Sequence, residues 1–273
     1  MPTQAEKAAA FVALHQNPQP FVIGNPWDAG SARILAALGF PALTTTSAGL
    51  AFSLGRKDGE VSRAEALANA KSIADATDLP VAADLENGYG HSPETVAETV
   101  RLAAEAGLVG GSIEDATKDP AHPIYDIQLA VERISAAALA AASLPFRFML
   151  VARAENYLHG NPDLHDTIRR LQAFEKAGAE VLYAPGLTDP DDIRAVCSSV
   201  RRPVNVLVGI KGAPPHSVQQ LGDLGVRRIS LGSGFCRAGL TEFFHAAREV
   251  IEDGTFSFSE KTMYMSELTK LFG

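Results

Sequence analysis

Cysteine is almost missing from this chain. Cys197 and Cys236 are the only two in 273 residues, and neither sits in a CxxC or CxxH pattern. That argues against a disulfide framework and against a structural zinc site. No apolar run approaches the roughly 20 residues needed to span a membrane. The opening stretch MPTQAEKAAAFVALHQ has the pattern of a short amphipathic helix and lacks the apolar centre of a signal peptide. Positive charge is in deficit, with 24 Lys and Arg against 32 Asp and Glu and a net charge of −8. Nucleic acid and anionic membranes are therefore poor partners. No Pro/Gly/Ser linker or break in composition divides the chain, so residues 1–273 are expected to form one domain in the cytoplasm.

What is present is an ordinary globular composition, 46% hydrophobic and 21% charged, with ample material for a core. Apolar runs that read as strands recur at 20–25, 41–49, 81–87, 110–115, 148–156, 181–186, 203–209 and 227–234. Helical periodicity follows each of them. Helix starts are marked by Asp28, Ser62, Ser92-Pro93, Asp189-Pro190 and Pro214-Pro215, and helix ends by Gly39, Gly107, Gly178 and Gly225. The last helix is expected from about Ala238 to Glu252. Eight strand–helix units in strict alternation predict a closed (β/α)8 barrel of the TIM type. An open doubly wound sheet would use fewer strands and often a GxGxxG after the first, which is missing here. Residues 255–273, TFSFSEKTMYMSELTKLFG, are extra to the eight units and too apolar for a solvated tail. They are expected to pack on the same barrel or on a neighbouring subunit.

Barrels of this kind carry their chemistry at the C-terminal ends of the strands. The stretch Val81–Gly90, VAADLENGYG, ends a strand with Asp84 and Glu86 on one face. The next strand adds Glu114. Adjacent uncompensated carboxylates call for a divalent cation, and an all-oxygen donor set suits Mg²⁺, with Mn²⁺ as a substitute. Asp84 is expected to bind directly, with Glu86 and Glu114 holding coordinated waters. Arg153, at the end of strand five, is expected either to clamp a substrate anion in bidentate fashion or to pair with Glu155 or Glu114. Thr46, Ser47, Ala48 and Gly49 offer backbone N–H groups and hydroxyls to a second anion, and Asn205 ends strand seven.

The segments GNPWDAGSARILAALGFPALTTTSAGLA, DLENGYG, SIEDA, VARAEN and GVRRISLGSG together resemble the isocitrate lyase/phosphoenolpyruvate mutase superfamily, in order and over nearly the full chain. The resemblance implies a (β/α)8 barrel that binds Mg²⁺ and a small 2-oxo or 2-hydroxy acid. Such a barrel stabilises an enolate while a C–C or P–C bond is made or broken. It implies that Asp84 is the metal ligand, that Glu86 is a longer substitute for the family's second acid, and that Glu114 is the third. Arg153 then matches the substrate-binding Arg, Asp58 an Asp near the metal, and Ser47–Gly49 the carboxylate-binding loop. It also implies a homodimer or homotetramer whose final helices swap between subunits.

One segment departs from the pattern. The C–C lyases carry a Cys in the loop after strand four, and the phosphonate enzymes a Lys and an Asn. Here the loop reads EDATKDPAHPIYD, with neither signature. The proton donor must then come from Lys118, His122, Tyr125 or a metal-bound water, and the loop has the length and polarity of a gating lid. The leading expectation is a Mg²⁺-dependent C–C lyase. The alternatives are P–C bond chemistry, a Schiff-base aldolase using Lys211, or a barrel that binds a 2-oxo acid without turnover.

Overall fold

Eight parallel strands pair side by side in the order β1-β8-β7-β6-β5-β4-β3-β2. The computed structural model in which they are seen describes residues 2–272. The first half of the barrel runs α1 (Gln4–Gln16), β1 (Phe21–Val22), α2 (Ala29–Ala37), β2 (Leu43–Thr44), α3 (Ser47–Ser53), α4 (Arg63–Asp75), β3 (Val81–Asp84), α5 (Pro93–Glu105) and β4 (Gly110–Glu114). The second half runs α6 (Ile127–Ala142), β5 (Met149–Arg153), α7 (Leu164–Lys176), β6 (Val181–Tyr183), α8 (Pro190–Ser199), β7 (Val204–Leu207), α9 (Val218–Asp223) and β8 (Arg228–Ser230). After these come α10 (Gly234–Glu252), a 3-10 turn (Ser257–Lys261) and α11 (Met265–Lys270). Gly24 bridges to Leu43, its N–H donating to Ala42 O and its carbonyl accepting from Thr44 N, which closes the ring between β1 and β2. The expected (β/α)8 TIM-type barrel is what the chain forms.

Alternation along the strands sorts side chains into two layers. Ile113, Leu150, Ala152, Leu182 and Ile229 face outwards and pack against Val96, Val100, Ile134, Leu171 and Phe174 of the helices. Phe21, Ile23, Ala42, Ala82, Met149, Val151 and Val181 face inwards, where Ala8 and Phe11 of α1 meet them and plug the lower end of the barrel. Apolar filling therefore stops partway up the interior. Arg153 follows Val151 by two residues, so it faces inwards just above that filling.

Local chemistry explains the helix starts. Ser62 and Glu65 form a reciprocal capping box on α4, and Ser92 caps α5 with Pro93 at its first position. Several boundaries differ from those the sequence predicts, and α9 starts at Val218 behind its cap Ser217 rather than at Pro214-Pro215. The β-branched run 41–49 keeps only Leu43–Thr44 as strand, because Thr46 caps a new helix through Gly49 N. Helix α10 begins at Gly234, ahead of Ala238. The segment 255–272 contains a 3-10 turn and a short helix.

Helix α10 does not lie on the barrel as its seven counterparts do. Cys236 is its one buried residue, while Phe243, Phe244, Leu240 and Ile251 are exposed. Phe256, Met263, Tyr264 and Met265 beyond it are exposed as well. At its end the tail returns to its own barrel, where Arg33 donates to the Phe272 carbonyl. No helix among the described residues is long and apolar enough to cross a membrane.

His15 makes the lower plug sensitive to acid. Its Nδ1 donates to Phe11 O at 2.8 Å, its ring lies edge-on to Phe11 and Phe21, and Nε2 meets no partner among the described residues. Burial, with Arg228 nearby, pulls its pKa from 6.5 to about 3. A group whose folded pKa is depressed in this way is neutral in the fold and charges on unfolding. Its contribution is complete above pH 6.5 and is lost as pH falls towards 3, at about 1.4 kcal/mol per pH unit. Urea unfolding from pH 7 to pH 4 should therefore lose stability more steeply in the wild type than in His15→Leu. Equal slopes would contradict this.

Candidate active site

At the upper end of the barrel a cavity of about 240 Å³ opens among the strand ends. Its lining includes Ser47, Ala48, Asp58, Asp84, Arg153 and Asn205, with Tyr183, Arg228 and Ser230. Arg153 is its electrostatic centre. Nη1 reaches Asp84 Oδ1 at 2.8 Å, Nη2 reaches Glu114 Oε2 at 3.1 Å, and Nε reaches Glu155 Oε1 at 2.7 Å. The guanidinium also stands 5.4 Å from the centre of the Tyr183 ring. Burial alone would lower the Arg153 pKa, but Glu155, Glu114 and Asp84 hold it above the ordinary arginine value.

The acids outnumber their counter-charges. Burial raises the pKa of Glu114 well above the carboxylate range, with Arg153 opposing and the neighbouring acids adding to it. Burial also raises Glu86, against the pull of Lys118, whose ammonium pairs with the Glu86 carboxylate. Asp58 sits on an exposed loop at the rim, and its carboxyl is raised by burial and by the charge of Asp84, with Ser47 as its hydrogen-bonding neighbour. Asp58, Asp84, Glu86, Glu114 and Glu155 thus share Arg153 and Lys118 as cations. A surplus of negative charge remains on an all-oxygen donor set, and this is the environment a hard divalent cation occupies. Among the described residues no three His, Cys, Asp or Glu side chains converge into a direct cage. The fit is that of Mg²⁺, which keeps several waters and takes one or two carboxylates directly.

Backbone strain gathers at the same place. Glu86, Tyr89 and Lys118 are the non-glycine residues with left-handed φ, at 48°, 60° and 69°. Such conformations persist where surrounding structure over-determines them. For the loop after β3 that structure is Arg133 of α6, which donates from Nη1 to Gly90 O and His91 O and from Nη2 to Asn87 O. Gly88, at φ 76°, lies so close to Val96 that an added Cβ would stand 2.9 Å from its side chain.

The remaining sequence-predicted residues separate into those inside the cavity and those outside. Thr46 serves as the cap of α3, and Gly49 N is consumed by that cap. Ser47 N donates to Asp84 Oδ2 at 3.3 Å. Asn205 donates to Ser230 Oγ at 2.9 Å on the cavity floor. Lys118, in the loop after β4, contacts Glu86 and also Gly59 O, joining that loop to the one that carries Asp58. His122 is exposed and faces Asp119 at 3.5 Å, and it does not line the cavity. Tyr125 is buried with its hydroxyl 2.6 Å from His91 Nδ1. Lys211 lies in an exposed turn after β7, outside the cavity, which gives a Schiff-base reading no geometric support.

Two contributors, Asn25 and Arg228, are not singled out by the sequence, whereas Glu155 is read there as a possible partner of Arg153. Glu155 completes the Arg153 cluster. Asn25 ties the barrel seam, accepting from Leu231 N and donating to Thr44 O. Arg228 forms part of the floor. The signal for each is a polar residue at an inward position near a strand end. Asp115 is different, since its carboxylate turns outwards to Arg170 at 3.0 Å and supports Glu155 N, a structural role.

Comparison with known proteins identifies the family. The sequence model of phosphoenolpyruvate phosphomutase matches residues 11–251. An uncharacterized protein of Mycobacterium tuberculosis (strain ATCC 25618 / H37Rv) is 34% identical over 88% of this chain and 88% of its own length. The oxaloacetate decarboxylase of Bradyrhizobium sp. (strain ORS 278) is 28% identical over 90% of this chain and 85% of its own. The 2-methylisocitrate lyase of Escherichia coli (strain K12) is 29% identical over 76% and 71%. A crystal structure of a Burkholderia cenocepacia J2315 protein, described as a lyase/mutase, superposes with a TM-score of 0.97 at 54% identity, covering 99% of this chain and 96% of that one. The chain therefore belongs to the phosphoenolpyruvate phosphomutase family, within the isocitrate lyase/phosphoenolpyruvate mutase superfamily of lyases and mutases.

Proposed function

We propose that the protein is a Mg²⁺-dependent lyase that cleaves a C–C bond of a small 2-oxo or 2-hydroxy carboxylic acid. The observation that carries this reading is the surplus of carboxylates around Arg153 and Lys118, of which Asp84 and Asp58 line the cavity together with Arg153. Similarity to an oxaloacetate decarboxylase and a 2-methylisocitrate lyase supports C–C chemistry, while the phosphoenolpyruvate phosphomutase model keeps P–C chemistry as the alternative. Asp84 would hold the cation, with Glu86 and Glu114 through water, and Mn²⁺ would substitute. When bound, the cation supplies Lewis-acid stabilisation of the negative charge that develops on the 2-oxo oxygen.

The chain's own residues do the rest. Arg153 neutralises the acids in the resting site and orients the incoming anion, with the Thr46–Gly49 segment and Asn205 shaping the cavity around it. Lys118 Nζ, paired with Glu86, would deliver a proton to the departing carbon in preference to His122, which is exposed and faces Asp119. Asp58, raised in pKa at the rim beside Ser47, relays protons between the cavity and solvent. Lid closure through Lys118 and Gly59 excludes water. Products of oxaloacetate, 2-methylisocitrate, isocitrate and phosphonopyruvate, followed by carbon and phosphorus NMR with Mg²⁺, test the bond assignment. Cleavage among the three carbon acids is expected. Turnover of phosphonopyruvate alone would replace this reading with P–C chemistry.

The exposed apolar side chains of α10 and residues 255–272 motivate a homo-oligomer, a dimer or a tetramer, in which a second copy covers them. Sedimentation equilibrium should show a multiple of the 28.9 kDa chain, reduced towards the monomer in Phe243→Glu/Phe244→Glu. A wild-type monomer would sink the proposal.

A further inference from the structure

Helix α6 turns Ala130, Ile134, Ala137, Ala140 and Ala141 towards the core, the spacing of a buried helix face. One residue of that face is charged. Arg133 is 1% exposed, so its guanidinium has exchanged water for whatever the fold supplies. What the fold supplies is backbone carbonyl. Nη1 donates to Gly90 O and His91 O, and Nη2 to Asn87 O. All of these belong to the loop after β3, which begins with Asp84 and Glu86. Gly88 O of the same loop accepts from Thr99 Oγ1 of α5 at 2.8 Å, and Glu86 O from Glu114 N at 3.0 Å. The loop thus hangs by its carbonyls from α5, α6 and β4. Glu86 and Tyr89 hold left-handed φ within it, a conformation that non-glycine residues keep only under such constraint.

Arg133 has a second contact, and it belongs to a different loop. Its guanidinium carbon stands 4.3 Å from the centre of the Tyr125 ring. Tyr125 closes the loop after β4, where its N donates to Asp115 O at 2.8 Å and its O accepts from Arg170 Nη1 at 2.9 Å. Its hydroxyl meets His91 Nδ1 at 2.6 Å. Lys118, earlier in the Tyr125 loop, pairs with Glu86. The two loops therefore meet twice, at Lys118–Glu86 and at Tyr125–His91, and Arg133 is bound to both partners of the second contact.

We propose that Arg133 is a positioning residue for the cation site. Seated on Tyr125, it fixes the backbone from Asn87 to His91, and thereby the direction in which the Glu86 carboxylate faces Asp84, Glu114 and Lys118. This rests on the reading of Asp84, Glu86 and Glu114 as the holders of the cation, and adds a residue of α6 that acts through the loop alone. Outer partners of this kind set metal affinity by about 10- to 100-fold. A planar fork reaches carbonyls on both sides of the turn at once, whereas an ammonium presents its donors from one point. Lysine is therefore no substitute.

The test uses Arg133→Lys, Tyr125→Leu and Ile134→Val in the full chain, with Mg²⁺ as the probe in calorimetry. Amide hydrogen exchange is read at Gly88 and Tyr89, whose N–H groups donate to Leu85 O and Asn87 Oδ1. Arg133→Lys should bind Mg²⁺ about tenfold more weakly. Its Gly88 and Tyr89 amides should exchange faster, while those of Val151 and Leu182 in the barrel keep the wild-type rate. Tyr125→Leu should repeat the pattern, and the double variant should add little to either single, as residues acting on one loop do. Tyr125→Leu leaves the buried arginine in place, so it decides the matter if Arg133→Lys does not fold. Ile134 packs in the apolar core from the same helix, and Ile134→Val should melt lower yet keep wild-type Mg²⁺ affinity and loop exchange. Wild-type Mg²⁺ affinity in Arg133→Lys and Tyr125→Leu, or an equal loss in Ile134→Val, overturns the proposal. Faster loop exchange in these two variants of a protein that binds no Mg²⁺ even as wild type keeps the hold of Arg133 on the loop and overturns the cation reading instead.

Discussion

Asp84→Ala should lower metal-dependent turnover by about 1,000-fold or more, the several kcal/mol that a bound cation supplies to developing negative charge. Asp84 stands at the end of β3, its Oδ2 facing Ser47 N and its Oδ1 facing Arg153 and Glu86 N. Its removal leaves Arg153 with Glu114 and Glu155 as partners. The fold should therefore survive, with a melting temperature close to that of the wild type, while calorimetry shows Mg²⁺ affinity lost. Undiminished Mg²⁺ binding in a folded Asp84→Ala would remove the metal from this site.

Arg153→Met should be the most damaging single change to both stability and activity. It strips the shared counter-charge from Asp84, Glu114 and Glu155, all of them enclosed. Breaking a buried ion pair by removing one partner costs about 3–5 kcal/mol, because the abandoned charge stays behind. Added Mg²⁺ should restore part of that loss by binding the folded state, and it should stabilise the variant more than the wild type. Turnover should stay at least about 1,000-fold down even in the metal-loaded variant, since the cation cannot replace the directional donors. A variant as stable as the wild type without Mg²⁺ would show that the acids are not a repelling cluster.

The barrel was legible because each of its units carries its own punctuation. Ser62, Ser92 and Asp189 cap helices where the sequence places them, and Gly107, Gly178 and Gly225 take up left-handed φ after the helices they end. The segment 41–49 was not legible, because its β-branched residues suit a strand while Thr46 also suits a helix cap. The tertiary seam through Gly24 and Asn25 ends the strand at Thr44. Asp84, Glu86, Glu114 and Arg153 could be read as one group because strand ends of a barrel converge. Pairing of Arg153 with Glu155 or Glu114 was legible as an alternative, but its contact with Asp84 as well was not, since Arg153 meets three acids at once only when β3, β4 and β5 are in register.

Arg228 shows the limit from the other side. In the run RRIS one arginine faces out and the next faces in, and no periodicity says whether the inward one will find an acid. Arg227 donates to carbonyls beside the strand, whereas Arg228 enters the interior unmatched. The lid is a comparable case. Lys118 and His122 are equally plausible donors in the sequence, and only their placement over Glu86 and beside Asp119 separates them.

The account stands on metal-dependent cleavage of a 2-oxo acid in this cavity. The direct measurement is carbon-13 NMR of labelled oxaloacetate and 2-methylisocitrate with the wild-type protein, in Mg²⁺ and then in EDTA. Enzyme-dependent C–C cleavage of at least one acid in Mg²⁺, lost in EDTA and restored by returning the metal, is the predicted result. Cleavage that persists unchanged in EDTA, or no cleavage of either acid in Mg²⁺, would contradict it.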